Sequence, residues 1–260
     1  MTLAEAMVPV MNVALVAGVA VVMPIAFERR FTPWQVSGLA VAASLAVAPG
    51  WPAVVVLLPW LFLCVVEGVQ ALRRKVLVHA VMAGFGATAA LALMASRLEV
   101  TVFEIPEPIV KLTALHFSFA GVGSLSLASR LVASRPSAAR RVAGLVVMVA
   151  PPIVAAGFIT RLAVFQVGGA VVMAAGVCAV AVLQVPEALK RSGWARALLL
   201  VSSASPWVAM GLAVAWAASQ YWPSVPALSV PDMVPTHGAL NAFGFVLAGH
   251  LAWWVDERGW

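Results

Sequence analysis

Long apolar runs, each close to the length of a membrane-crossing helix, fill nearly the whole chain. A hydrocarbon core of about 30 Å takes about 20 residues of helix. The runs fall at 7–27, 33–48, 52–72, 76–96, 109–133, 142–162, 163–185, 197–219 and 233–254. Charged residues make up only 10% of the chain, against ~25% for a soluble domain. In lipid the backbone must satisfy its own hydrogen bonds, and a helix does so within one segment. The expected fold is therefore an all-α polytopic membrane bundle, one domain over residues 1–260, with about nine transmembrane helices. The run 33–48 is short, and if it is re-entrant the count is eight.

Lys and Arg give the expected orientation. They cluster at Arg29–Arg30, Arg73–Lys75, Arg130–Arg141 and Lys190–Arg196, in the links after the first, third, fifth and seventh runs. The alternation puts the N-terminus outside and the C-terminus in the cytoplasm of a bacterial inner membrane. The first run is followed by Glu28-Arg29-Arg30, the reverse of a cleavable signal, so it reads as a retained helix. Residues 97–108 and 220–232, rich in proline, read either as a cap over the outer face or as interfacial connectors.

The net charge of +6 is scattered in these links and forms no extended basic face, which excludes nucleic acid as a partner. Cys64 and Cys178 lie inside apolar runs and read as small buried hydrophobes. No HExxH, P-loop, CxxCH or partnered GxSxG occurs, and no cofactor or metal is expected. A site from His116, His237 and an acid is the only metal arrangement the sequence suggests.

Polar residues within hydrocarbon are costly unless paired or facing a cavity, so they point to function. Glu67 lies in WLFLCVVEGVQAL with Gln70 on its face. It reads as a proton carrier, or as an acid reaching Arg73 or Lys75. His116 sits in the fifth run, below Lys111, Glu104 and Glu107. His237 and Asn241, four apart, share a face of the last run beneath Thr236 and Asp232. If those two helices touch, the imidazoles and the amide form one cluster. Such a cluster does acid–base work or serves as interhelical glue. Gly121, Gly123, Gly238 and Gly244 mark either close packing or space for a ligand. His79 and His250 lie at predicted interfaces and are given no role. Pro24, Pro59, Pro151-Pro152, Pro206 and Pro235 mark either kinks or a broken-helix binding site.

The segments KLTALHFSFAG (111–121) and THGALNAFGF (236–245) together resemble the signatures of the YndJ-like family of bacterial integral membrane proteins. The resemblance implies a fold and a site around His116, His237 and Asn241 more than it implies a reaction. The family pattern often has a second histidine two residues after the first, where this chain has Ser118, so a role needing both is in doubt.

Two functions fit. The chain is similar in size, helix content and sparse acids to membrane-bound bacterial terpene cyclases, which protonate a prenylated or isoprenoid substrate without a metal. That reading makes Glu67 or Glu104 the acid and gives His116, His237 or Asn241 the last proton. Glu107, Ser118 and Thr236 then contact a lipophilic substrate, and Phe117, Phe119, Trp207 and Phe243 form an aromatic lining. The other reading is a non-catalytic membrane protein, a transport accessory or a binder of lipid or small molecule. The oligomeric state is not legible.

Overall fold

The computed structural model describes residues 2–258. Among them are eight helices long and apolar enough to cross a membrane. They are α1 (Glu5–Ala26), α3 (Trp51–Arg73), α4 (Leu77–Arg97), α5 (Ile109–Ser134), α6 (Ala138–Thr160), α7 (Ala163–Leu189), α8 (Gly193–Ser219) and α9 (Val230–Asp256). Between the first two lies α2 (Phe31–Ala46), 16 residues long and so about 24 Å. The protein is an all-α, multi-pass membrane protein. The helices overrun the apolar runs most at Ala138–Arg141, Pro186–Leu189 and Gly193–Arg196. Hydropathy marks the hydrocarbon, whereas the backbone ladder continues into the polar margin.

The chain divides into two compact units, residues 11–126 and residues 127–260 with the first ten. In the unit 11–126, α3 and α4 form an antiparallel pair joined by a tight turn in which Lys75 takes φ +58°. The start of α2 adjoins Arg29, which bonds Glu67 near the end of α3. Past the end of α2, Val47 O accepts from Arg97 Nη2 at 2.6 Å and Gly50 N donates to Arg97 O at 2.7 Å. Arg97 ends α4, level with the start of α3. The short helix therefore runs between the same two levels as the spans beside it. Phe27 stacks on Trp34 (5.5 Å), and Trp60 Nε1 donates to Met23 Sδ at 3.2 Å. Both tryptophans are fully buried.

In the other unit, α6, α7 and α8 run antiparallel in turn, and α9 lies on α8. Gly157 takes the α7 backbone at the tight turn: a Cβ there would stand 2.5 Å from Gln166. Arg161 closes the turn in the left-handed region at φ 56°. Tyr221 Oη, in the link after α8, lies 2.8 Å from Gln166 Oε1 and 3.0 Å from Arg161 O. That part of the 220–232 link is thus fastened to the α6–α7 turn. At the opposite end Arg140 Nη2 donates to Glu187 Oε1 at 2.6 Å, with both side chains 6% exposed. Lys190 also reaches Glu187, Arg191 bonds Asp256 at 2.9 Å, and Arg130 pairs with Glu257. Four cations and three acids thereby bind the ends of α5, α6, α7 and α9.

Four stretches wind as π-helix: Gly18–Val22, Phe117–Gly123, Val234–Gly238 and Leu240–Leu247. A π turn carries an extra residue and recurs at functional sites. Three of the four coincide with the two sequence motifs. Pro235 lies inside one of them and Pro24 just past another. Proline offers no N–H and crowds the carbonyl four residues back, a conflict that a wider turn relieves. Pro151, Pro152 and Pro206 lie within unbroken α-helix. The ladder at Pro59 is interrupted at Val56–Leu57.

Candidate functional site

The start of α9 holds the strongest arrangement. His237 Nδ1 lies 2.7 Å from the carbonyl of Ala209 on α8. A carbonyl only accepts, so Nδ1 carries the proton and donates. In the neutral ring Nε2 is then an acceptor. Asn241 Nδ2 donates to the His237 carbonyl at 3.2 Å and lies against the edge of the ring, 3.2 Å from Nδ1 and 3.5 Å from Nε2. Its Oδ1 is left as a second acceptor. Both side chains are half-buried. The orienting group is thus a backbone carbonyl, and the nearby Asp232 carboxylate accepts from Ser229 at 2.6 Å. Thr236 is turned back onto the Asp232 carbonyl at 2.6 Å.

The glycines of the two motifs separate by what they meet. A Cβ on Gly244 would fall 2.3 Å from Ser205 Oγ, and on Gly121 2.9 Å from the Phe85 side chain. Both are points of close helix contact. At Gly238, beside His237, the nearest atoms would lie at 3.8 Å, leaving room. Phe243 is half-buried. Trp207 is 56% exposed on the outer face of α8, so it does not belong to an enclosed aromatic lining.

In the unit 11–126, His116 ends the regular α part of α5 and meets Phe117 edge-on at 5.6 Å. Phe117 packs on Phe85, also at 5.6 Å. The ring of Phe119 would lie 3.2 Å from a Cβ on Gly18. Phe117, Ser118 and Phe119 are all buried. These three, expected around a substrate, fill the interior of their unit because the π turn presses them against α1 and α4.

The acids are placed differently from expectation. Glu67 is buried, but Arg29 grips it: Nε lies 2.8 and 3.1 Å from the two carboxylate oxygens and Nη2 3.0 Å from Oε2. Arg29 Nη2 also donates to Gln70 at 2.9 Å. The hydrogen bond to Glu67 raises the guanidinium above its ordinary pKa. The partner is thus neither Arg73 nor Lys75, and Glu67 is not the isolated acid that a proton donor requires. Glu104 sits with Phe103 at the exposed tip of a tight turn closed by Val102 and Ile105, both tip residues at positive φ. It is no desolvated acid. Glu107 is exposed beside a hollow of about 270 Å³ that Glu99, Thr101 and Val110 also line.

Sequence reasoning missed three features. His250, taken for an interfacial residue, is wholly buried and bonds the Val246 carbonyl at 2.8 Å. Ser202 donates to the Phe245 carbonyl of the π stretch at 2.7 Å and accepts from Gln184 at 3.2 Å, a bridge with no signal in the sequence. The Arg29–Glu67 pair did have one: the charge alternation puts the end of the first run, with Arg29, on the same side as the end of the third, with Glu67. Among the described residues no three His, Cys, Asp or Glu side chains gather as a metal would need.

Eight helices long and apolar enough to cross a membrane, with His237 and Asn241 on π-wound stretches of the last, define a multi-pass membrane protein. The model of the YndJ-like protein family matches residues 6–245, a range that includes both motifs, and the chain belongs to that family. No curated protein and no solved structure matches it.

Proposed function

We propose that this protein, in the bacterial cytoplasmic membrane, binds a lipophilic small molecule without transforming it, at the π-wound start of α9. The observation that carries the reading is the His237 ring. Its Nδ1–H is spent on Ala209, which leaves Nε2 as an acceptor 3.5 Å from the Asn241 amide nitrogen, with room at Gly238. Two neighbouring acceptors in an apolar setting suit a ligand with a hydroxyl or N–H donor and a hydrocarbon body. Membrane sites of this kind gain orientation from a few polar groups and affinity from apolar contact.

A second reading, an enzyme, has one observation in its favour. A neutral imidazole held by a carbonyl is equipped to take a proton from a bound substrate, as in isomerisation of an isoprenoid compound. Protonation-initiated cyclisation fits less well, because Glu67 is engaged by Arg29 and Glu104 lies on an exposed turn.

The test is extraction of the protein in native lipid discs, with the retained non-lipid molecules identified by mass spectrometry. The expected result is a hydroxylated lipophile whose retention falls about tenfold in His237→Phe and Asn241→Leu, for ~1.4 kcal/mol of lost hydrogen bonding. Equal retention in both variants overturns the site. Conversion of prenylated or epoxidised isoprenoids by wild type, lost in His237→Phe, favours the enzyme.

A further inference from the structure

Helices α1 and α2 touch where Gly38 meets Ala20, at a distance where a Cβ on Gly38 would stand 2.6 Å from that of Ala20. From there they splay, leaving a groove of about 460 Å³ whose walls include Val16, Ala17, Ala42, Leu45 and Ala46. One end carries its only polar wall residue, Asn12. Asn12 Oδ1 accepts from Lys111 Nζ at 2.7 Å. At the same end the carbonyl of Val47, next after Ala46, accepts from Arg97.

Lys111 is half-buried, forms no salt bridge among the described residues, and uses one of its three ammonium protons on Asn12. Arg97 also lacks an acid partner there, and its Nε is buried without an acceptor. Glu107 acts on Lys111 through charge, but it and Glu99 line an exposed hollow and hydrogen-bond neither cation. Two cations with no carboxylate bonded to them thus stand at the mouth of an apolar trough. A cation at the membrane margin is stabilised by an anion of matching depth, and guanidinium and ammonium groups both suit phosphate.

We infer that this groove is a binding site for one anionic phospholipid, its acyl chain between α1 and α2 and its phosphate on Lys111 and Arg97. The site is separate from the one proposed on α9 and does not depend on it.

The experiment uses the full chain in bilayers with spin-labelled phosphatidylglycerol or phosphatidylcholine, reading the motionally restricted fraction. Wild type selects phosphatidylglycerol. Lys111→Gln lowers that selectivity about fivefold, as for one cation near a membrane surface, and Lys111→Arg keeps it. Ala42→Trp leaves both cations in place, fills the trough and abolishes the selective component. Equal restriction of the two lipids by wild type overturns the site. So does selectivity that survives Ala42→Trp, or chemical cross-linking showing a second copy of the chain seated on α1 and α2.

Discussion

The two units use the same pair of devices, a π-wound motif and a guanidinium on a carboxylate, and put them to different ends. In residues 11–126 the π turn of α5 is filled: Phe117 and Phe119 are buried and Gly121 lies against Phe85. Its ion pair is partly open, with the Arg29 side chain 32% exposed. In the unit from residue 127 the reverse holds. The π turn at His237 is half-open, whereas Arg140 and Glu187 are each only 6% exposed. One unit thus seals its π turn in α5 and leaves the Arg29–Glu67 pair partly accessible; the other seals the Arg140–Glu187 pair and leaves the π turn at His237 accessible. An irregular backbone at membrane depth is tolerated when protein fills it or a cavity borders it. The half-open one is accordingly the one on which the proposed ligand site rests.

The contrast is broken most directly at the ion pairs. Glu187→Ala strands a buried arginine and is expected to cost about 3–5 kcal/mol. Glu67→Ala leaves an arginine that reaches water, and is expected to cost about 1 kcal/mol or less. Thermal unfolding in one detergent compares the two, and equal losses would mean the charges are equally sealed. Next in size are the glycines. Gly121→Ala and Gly244→Ala force a methyl into occupied space and should each cost about 1–3 kcal/mol. Gly238→Ala has ordinary contact distance and should shift stability by no more than about 0.5 kcal/mol, with the same unfolding assay separating them.

What the sequence made legible follows from hydrophobicity and charge. Apolar runs mark the span positions, and the shortest run, 33–48, is the helix Phe31–Ala46, too short to count among the eight long spans. The pairing of His237 with Asn241 was legible because four residues return to one helix face, and the π turns did not destroy it. The π winding itself was not legible, since glycine and proline mark a helix irregularity without specifying its form. The partner of Glu67 was hidden for another reason. Helix spacing points to residues on the same helix, whereas Arg29 arrives from the link that precedes α2. The buried bridge from Gln184 through Ser202 to Phe245 was hidden most fully, because one of its members is a backbone carbonyl.

That bridge gives the finest test of how α9 holds its π form. The Ser202 hydroxyl donates 2.7 Å to the Phe245 carbonyl, inside the π stretch Leu240–Leu247. Interhelical hydrogen bonds in bilayers average about 0.6 kcal/mol, so Ser202→Ala should cost about that much in global stability. Its local effect is larger in kind. Gly249 already rests against Ser202 and Leu127, so the helices stay in contact without the hydroxyl, and the freed carbonyl can return to an α-helical bond. A return to α winding, which turns further per residue than the wider π winding, rotates His237 relative to Phe245 and turns the imidazole away from Ala209. The expected outcome is a folded Ser202→Ala protein with near-normal unfolding temperature and faster amide exchange at residues 240–247. A ¹⁵N chemical shift at His237 Nδ1 should also move away from that of a donor bonded to a carbonyl. An unchanged His237 signal in the variant would show that the π turn is held by α9 alone and that α8 contributes only the Ala209 carbonyl.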